Sequence, residues 1–364
     1  MTTIEVTVEA TPDPAAVEAY LGRLTADLGG TLGVLLTSLG TRHGLWRALA
    51  GAGPCTAEQL AARVTVDRAL VREWLRAQAA AGYLDYDQAG DTFELSPAAA
   101  AAIPDGPGSP LVEACLDMLA ATIANFDEFS AAFGAGRGFG WHQRTGQYWH
   151  GQDAFTRLVL PEELIGASVP DDVAAALDAG GAALDVGCGY GAPTRAVARR
   201  HPAARVLGID YHDASVMHAR QAAGQDQIDN VRFEVAAALD PPARPGGYEL
   251  ITFFDSLHDL GDPRAALSAA RRAITPSGAV LLFEPAGGDR VAENLHPGGR
   301  MMYSISTLIC TPNAVAQRTP TSSEPLGAQP GEPALRALAG EAGFSRVRRL
   351  DVPLPFNLVL ELRP

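Results

Sequence analysis

Residues 182–210, AALDVGCGYGAPTRAVARRHPAARVLGID, restrict this chain more than any other stretch. Ala182, Ala183, Leu184 and Val186 form a short apolar run broken by Asp185, as in a strand buried in a parallel sheet. Gly187, Gly189 and Gly191 then permit a tight turn and close approach of the backbone to a ligand. Thr194–Arg200 carries a helical pattern, and Val206–Ile209 reads as a second strand that ends on Asp210. Nineteen positions separate Gly191 from Asp210, the span of one β–α–β step with an acid placed for a ribose diol.

The glycine spacing separates two ligand classes. A dinucleotide fold expects G-x-G-x-x-G, with a pyrophosphate at the helix N-terminus. Here the run is G-x-G-x-G, and Asp185 stands two residues before the first glycine. A carboxylate there repels a pyrophosphate but suits an ammonium group. S-adenosylmethionine has that ammonium, a ribose and no phosphate. The stretch closely resembles the first motif of class I S-adenosylmethionine-dependent methyltransferases. That resemblance implies that Asp185 lies near the methionine end, that the glycines let the backbone pass the cofactor, and that Asp210 holds the ribose hydroxyls. The competing reading is a glycine turn that binds nothing, or a dinucleotide.

A chain of 364 residues has room for about two domains. No run of about 18 apolar residues is present, so no membrane span is expected. The start, MTTIEVTVEATPD, lacks a basic region and an apolar core, so the expected location is cytoplasmic. The formal charge of −14 argues against a nucleic-acid partner. Every basic residue is arginine, which excludes a pyridoxal-phosphate Schiff base and a P-loop lysine. Cys55, Cys115, Cys188 and Cys310 lie far apart without a C-x-x-C pair, so spacing indicates neither a disulfide framework nor a metal site.

Residues 1–105 read as a winged helix. Leu21–Leu39 is expected to be helical, two short helices follow, and Thr56 with Gln59 forms a capping box. Asp67–Ala81 is a further helix, with Leu70, Trp74 and Leu75 on one face. YLDYD and TFELS flank a turn as a β-hairpin. The unit is acidic and alanine-rich and shows no evident core of its own. A winged helix suggests a DNA-binding regulator, the alternative of a different class. Seven arginines against thirteen acids, a charge of −6, oppose it. A winged helix ahead of such a domain instead resembles small-molecule O-methyltransferases of plants and bacteria, and also actinobacterial methyltransferases of unknown substrate. In the former it serves dimerisation and closes the substrate site, which implies a homodimer and a role in secondary metabolism.

Residues 106–170 are expected to be a helical linker that contributes to the substrate site. Pro104–Pro110 is the linker proper, Leu111–Phe133 one apolar helix, and Pro161–Leu177 another. Between them, Trp141, His142, Tyr148, Trp149 and His150 wall a substrate pocket, flank the cofactor or pack the domain junction. Residues 171–364 form the cofactor domain: an α/β, Rossmann-like, seven-stranded, mostly parallel sheet whose last two strands, FSRVRRLDV and FNLVLELRP, make an antiparallel edge.

Beyond the motif, Tyr211 is placed to cover the adenine. Relatives put an acid or polar residue after the third strand, where this chain has Ala236 and Ala237, so backbone groups or Asp240 must serve. The fourth strand delivers FFDSLHD, which sets Asp255 toward the cofactor and His258 beyond the strand's end. LHD resembles the segment of plant-type O-methyltransferases whose histidine is the general base; His258 matches it. A hydroxyl becomes a good nucleophile only as its proton leaves, and histidine titrates in the right range. The bland alternative is a structural histidine. The stretch 287–330, rich in Gly, Pro and Ser, is read as an insertion whose Met301, Met302 and Tyr303 roof a substrate pocket, with Glu284 and His296 as weaker polar candidates. These features imply an S-adenosylmethionine-dependent methyltransferase of a small, largely apolar or aromatic molecule, most simply on oxygen. Carbon or nitrogen methylation on the same fold remains open, as does cofactor binding without transfer. No metal is called for.

Overall fold

The computed structural model describes residues 12–102 and 109–364, so most of the Pro104–Pro110 linker falls outside the described residues. The chain divides into two compact units, Met1–Leu116 and Asp117–Pro364.

The first unit contains α1 (Pro14–Arg42), α2 (Leu45–Leu49), α3 (Ala57–Ala61) and α4 (Arg68–Ala80), then a hairpin of β1 (Asp85–Asp87) and β2 (Thr92–Glu94), and α5 (Pro97–Ala102). This is a winged helix. The Thr56 hydroxyl accepts from the Gln59 amide while the Gln59 side chain accepts from the Thr56 amide, the reciprocal capping expected. Two expectations are corrected. The buried face of α4 is Val71, Trp74, Leu75 and Gln78, and Leu70 points to solvent. Asp67 caps the helix and Val71 opens its i, i+3, i+4, i+7 stripe, which leaves Leu70 on the far side. The unit also has a core of its own, in which Leu45, Leu49, Leu60, Val71, Leu75 and Phe93 surround Trp46 and Trp74. The two indoles meet edge-on at 4.6 Å and donate their N–H groups to carbonyls of α1. Gly40 is required there, because a Cβ would fall 2.4 Å from the Trp46 ring nitrogen. Farther toward its N-terminus, α1 exposes Leu21, Leu24, Leu28 and Leu32.

The second unit is led by helices. The expected single helix over 111–133 is two: α6 (Ser109–Ala124), which begins in the first unit, and α7 (Phe126–Gly134). Asn125 leaves helical geometry between them (φ −98°, ψ 9°), as a short polar side chain favours at a cap. A 3-10 turn (Trp141–Gln143) precedes α8 (Gly146–Val159). The expected helix over 161–177 is likewise two, α9 (Glu162–Ser168) and α10 (Asp171–Asp178). Pro170 pushes Val169 out of the helical region (ψ 123°).

Then come β3 (Ala182–Val186), α11 (Ala192–Arg200), β4 (Arg205–Asp210), α12 (Asp213–Gln225), β5 (Val231–Val235), β6 (Tyr248–Phe254), α13 (Pro263–Ala273) and β7 (Ile274–Pro285). After α14 (Pro297–Ile305), α15 (Thr311–Gln317) and α16 (Glu332–Glu341), β8 (Arg346–Leu350) and β9 (Asn357–Arg363) close the sheet. Its order is β5-β4-β3-β6-β7-β9-β8, parallel through β7, with β9 antiparallel to both neighbours. The order reverses between β3 and β6, and ligands of such sheets sit beyond the strand ends at that point. Residues 297–317, inside the expected insertion 287–330, are helical. Pro297 opens α14, the His296 ring accepts from the Gly299 amide, and a π-helical turn (Ser306–Cys310) links α14 to α15. Among the described residues, no helix is long and apolar enough to cross a membrane.

Candidate active site

A cleft of about 450 Å³ opens at the switch point. Its floor is the turn after β3, where Gly187 (φ 76°), Gly189 (φ 51°) and Gly191 (φ 74°) all adopt left-handed backbone. A Cβ at Gly191 would lie 2.6 Å from the Phe233 ring, whereas Gly189 faces open space. The Asp210 carboxylate, at the end of β4, accepts from the Gly189 amide (2.9 Å) through one oxygen and from the His212 amide (2.9 Å) through the other. Burial raises its pKa, and those amides oppose the rise. Asp185 is buried in β3 and accepts from the hydroxyls of Thr194 and Thr252. Burial pushes it up to about 7 against those two hydroxyls, with Asp210 adding to the rise.

Asp185, Asp210 and Asp255 line the cleft together, as do Tyr211, Ala236 and Ala237. Asp255 is held at φ 55° with its carboxylate accepting from the Asn357 amide group (2.9 Å), and burial raises its pKa to about 6. The Tyr211 hydroxyl and the Trp141 backbone amide both meet the Asn313 side-chain oxygen (3.1 and 3.2 Å), while the Asn313 amide donates to the Asp259 carbonyl (3.0 Å). The α15 helix is thereby tied to two walls of the cleft.

His258 sits in a 3-10 turn after β6 and is buried. Its Nδ1 lies 2.7 Å from Glu284 Oε2, and the other Glu284 oxygen accepts from the Leu257 amide (2.9 Å). Glu284 is wholly buried at the end of β7. His258 Nε2 is 3.4 Å from Asp259 Oδ1, and Cys310 adds its thiol to this side. Burial alone would lower the His258 pKa, but the Glu284 and Asp259 carboxylates outweigh it and hold it well above 6.5. Arg144, packed against the rings of Phe139, Trp141 and Tyr148, is a buried cation whose field reaches Asp259.

Of the remaining sequence candidates, Trp141 and Trp149 reach the cleft and the others do not. Trp141 and Asp259 line the cleft; His258, His142, Tyr148, Met301, Met302 and Tyr303 are not among the described residues that do. Tyr148 and Met302 pack with Ile309 and Cys310, Met301 is half exposed, and the Tyr303 hydroxyl accepts from Asn294. Conversely, Trp149, Gln152, Asp153 and Thr156 of α8 line the cleft, as do Asn313, Ala316 and Gln317 of α15. The α8 set has i, i+3, i+4, i+7 spacing, a helical face visible in the sequence once the helix is placed. Trp149 stacks on His212 (4.8 Å) and Tyr190 (5.8 Å), so it covers the glycine turn.

A family model described as a methyltransferase domain matches residues 183–278, and one described as an Rv2258c-like winged HTH domain matches residues 30–104. The chain is 33% identical over 104 residues to a ubiquinone biosynthesis O-methyltransferase of Acinetobacter baylyi, covering 28% of this chain and 43% of that one. It is 29% identical over 139 residues to a 27-O-demethylrifamycin SV methyltransferase of Amycolatopsis mediterranei, covering 36% and 51%. The chain thus spans about half the length of these curated relatives. The apo crystal structure of the S-adenosylmethionine-dependent methyltransferase SibL superposes with a TM-score of 0.65 at 20% identity, over 94% of this chain and 99% of that one.

Proposed function

We propose that this chain, which joins a winged helix-turn-helix domain to a methyltransferase domain, is an S-adenosylmethionine-dependent methyltransferase that acts on an oxygen of a small, largely apolar or aromatic molecule. The observation that carries the reading is the charge of the cleft. Six aspartates, Asp153, Asp185, Asp210, Asp255, Asp259 and Asp262, line it, and none of the described residues that line it is basic. Such a wall repels phosphates and fits a cationic ligand with a ribose. Its volume lies in the range of small-molecule sites.

When bound, the cofactor supplies an electrophilic methyl group on a sulfonium. Asp210 would hold the ribose hydroxyls, Asp185 the ammonium end, and Tyr211 with the Ala236–Ala237 backbone the adenine. His258 would take the proton from the acceptor hydroxyl. Glu284 fixes Nδ1 as the donating nitrogen and so leaves Nε2 on the side of Asp259, which reaches the cleft. The O-methyltransferase names among the relatives support oxygen as acceptor. Profiling a metabolite extract with a labelled-methyl cofactor, followed by mass spectrometry, identifies the acceptor atom. Absence of S-adenosylhomocysteine binding by calorimetry refutes the reading at its root.

The exposed leucines of α1 support a homodimer that buries them, and a monomer mass by light scattering at micromolar concentration would refute that part. On α4, Arg72 and Arg76 share the single partner Glu73, Asp67 caps the helix beside Arg68, and residues 1–105 carry −6 overall, which weighs against a DNA-reading face. Salt-sensitive retention of random duplex DNA in a gel shift would instead revive a regulator.

A further inference from the structure

The buried end of the site carries a donor set that proton transfer alone does not account for. We infer that His258 Nε2, Asp259 Oδ1 and Cys310 Sγ form a binding site for one zinc-class divalent cation, bordering the cleft.

Four observations converge. First, one imidazole nitrogen, one carboxylate oxygen and one thiol sulfur, all buried, lie within 4.8 Å of one another. Second, Nε2 and Oδ1 are 3.4 Å apart. That is long for a hydrogen bond. It matches the edge, about 3.3–3.4 Å, between two ligands each about 2.0–2.1 Å from a tetrahedral ion. Third, Asp259 Oδ1 is buried without a hydrogen bond of normal geometry, and its polar neighbours are the two other donors of the set, His258 Nε2 and the Cys310 thiol. Fourth, the opposite nitrogen of His258 is buttressed by the wholly buried Glu284 at 2.7 Å, the carboxylate–histidine arrangement that orients metal-binding imidazoles.

Backbone geometry supports the third ligand. Cys310 ends the π-helical turn Ser306–Cys310, a deviation that often marks functional positions in helices. The turn is pinned where Ser306 accepts from the Ala328 amide (3.0 Å). Mixed N, O and S donors select a zinc-like ion over magnesium or calcium. Three protein ligands leave a fourth position, as in catalytic rather than structural zinc sites. Asp259 lines the cleft, so the donor set borders it. The ion would occupy the lone pair that proton abstraction uses. The inference therefore rests on the same histidine as the proposed function but not on methyl transfer itself.

The test uses the full chain, stripped with chelator and titrated with zinc by calorimetry, with cobalt(II) as a spectroscopic substitute. Expected are one ion per chain and a cobalt–thiolate absorption band. Cys310→Ala should abolish the band and weaken zinc at least about 100-fold, and Asp259→Asn should weaken it comparably. Glu284→Gln should weaken it about 10–100-fold, as loss of such an outer partner does. S-adenosylhomocysteine affinity and circular dichroism establish that each variant is folded. No stoichiometric zinc at micromolar concentration would overturn the site, as would affinity unchanged in folded Cys310→Ala. Failure of zinc with S-adenosylhomocysteine still bound sinks only the metal site. Zinc binding without S-adenosylhomocysteine binding sinks the methyltransferase reading and leaves the metal site standing.

Discussion

The glycine turn of the cleft and the buried cluster behind Asp259 solve the problem of buried charge in opposite ways. At the glycine end, Asp210 and Asp185 are satisfied by groups that cannot titrate: backbone amides of Gly189 and His212, and hydroxyls of Thr194 and Thr252. In the cluster, His258, Glu284, Asp259 and Cys310 partner one another. Fixed dipoles hold a charge in place and suit a site that binds. Mutually titrating side chains can pass a proton or take an ion, and suit a site that reacts. Under the proposed function, recognition falls to the first group and chemistry to the second.

Removing the imidazole is the strongest way to break that division. His258→Ala should lower turnover by about 10²–10⁴-fold, the usual worth of a positioned acid–base group. S-adenosylhomocysteine affinity should stay nearly intact, because the ring makes no contact with the glycine turn. Steady-state kinetics beside calorimetry checks both halves. Full turnover in the variant would make His258 structural and move the chemistry elsewhere.

The complementary change is Asp210→Ala. Hydrogen bonds to a charged group contribute about 1.5–3 kcal/mol each, so losing two ribose contacts should cost about 3–6 kcal/mol of cofactor affinity. Part of any loss reflects the turn, since the carboxylate also receives the Gly189 and His212 amides. Asp210→Asn, which keeps an acceptor for those amides, should recover part of it. Calorimetry that shows unchanged affinity in Asp210→Ala would remove the ribose assignment and, with it, the contrast between the ends.

The glycine end was also the more legible in sequence, for a physical reason. Strand, turn, helix and acid follow one another within 29 residues, so local pattern and tertiary role coincide. The sheet was readable on the same ground, down to the antiparallel edge made by its last two strands. The reactive end joins residues remote in the chain: Arg144, His258 with Asp259, Glu284 and Cys310. No spacing rule links Cys310 to His258; only the approach of the π-turn to the 3-10 turn after β6 does. The helical character of residues 297–317 was hidden by its Gly, Pro and Ser content, because Pro297 and Pro312 open helices instead of breaking them. The winged helix misled in a different way. Its alanine-rich composition concealed a core built on two tryptophans, and Leu70 was set on the buried face by a one-residue error of phase.

The smallest effect sharpens the contrast most, because its two signs differ. Burial holds Asp185 at about 7, above the ordinary 3.8. The folded, ligand-free protein therefore binds a proton there that the unfolded chain releases. That contribution to stability is whole below pH 4 and is lost as the pH climbs to about 7, so the melting temperature should fall across this window. A ligand with an ammonium group wants the opposite state, the carboxylate. If binding requires ionised Asp185, S-adenosylhomocysteine affinity should rise about fivefold between pH 6 and pH 7. Asp210 faces Asp185 and is itself raised, so it contributes in the same direction, while the Thr194 and Thr252 hydroxyls do not titrate. Asp185→Asn isolates the residue: both pH dependences should flatten, and affinity should fall toward the value of the protonated wild type. Calorimetry and thermal melts from pH 5.5 to pH 7.5 read the two curves on one preparation. Parallel curves, or an affinity that ignores pH in the wild type, would mean that Asp185 serves the strand and its two threonines and never meets the ligand's charge.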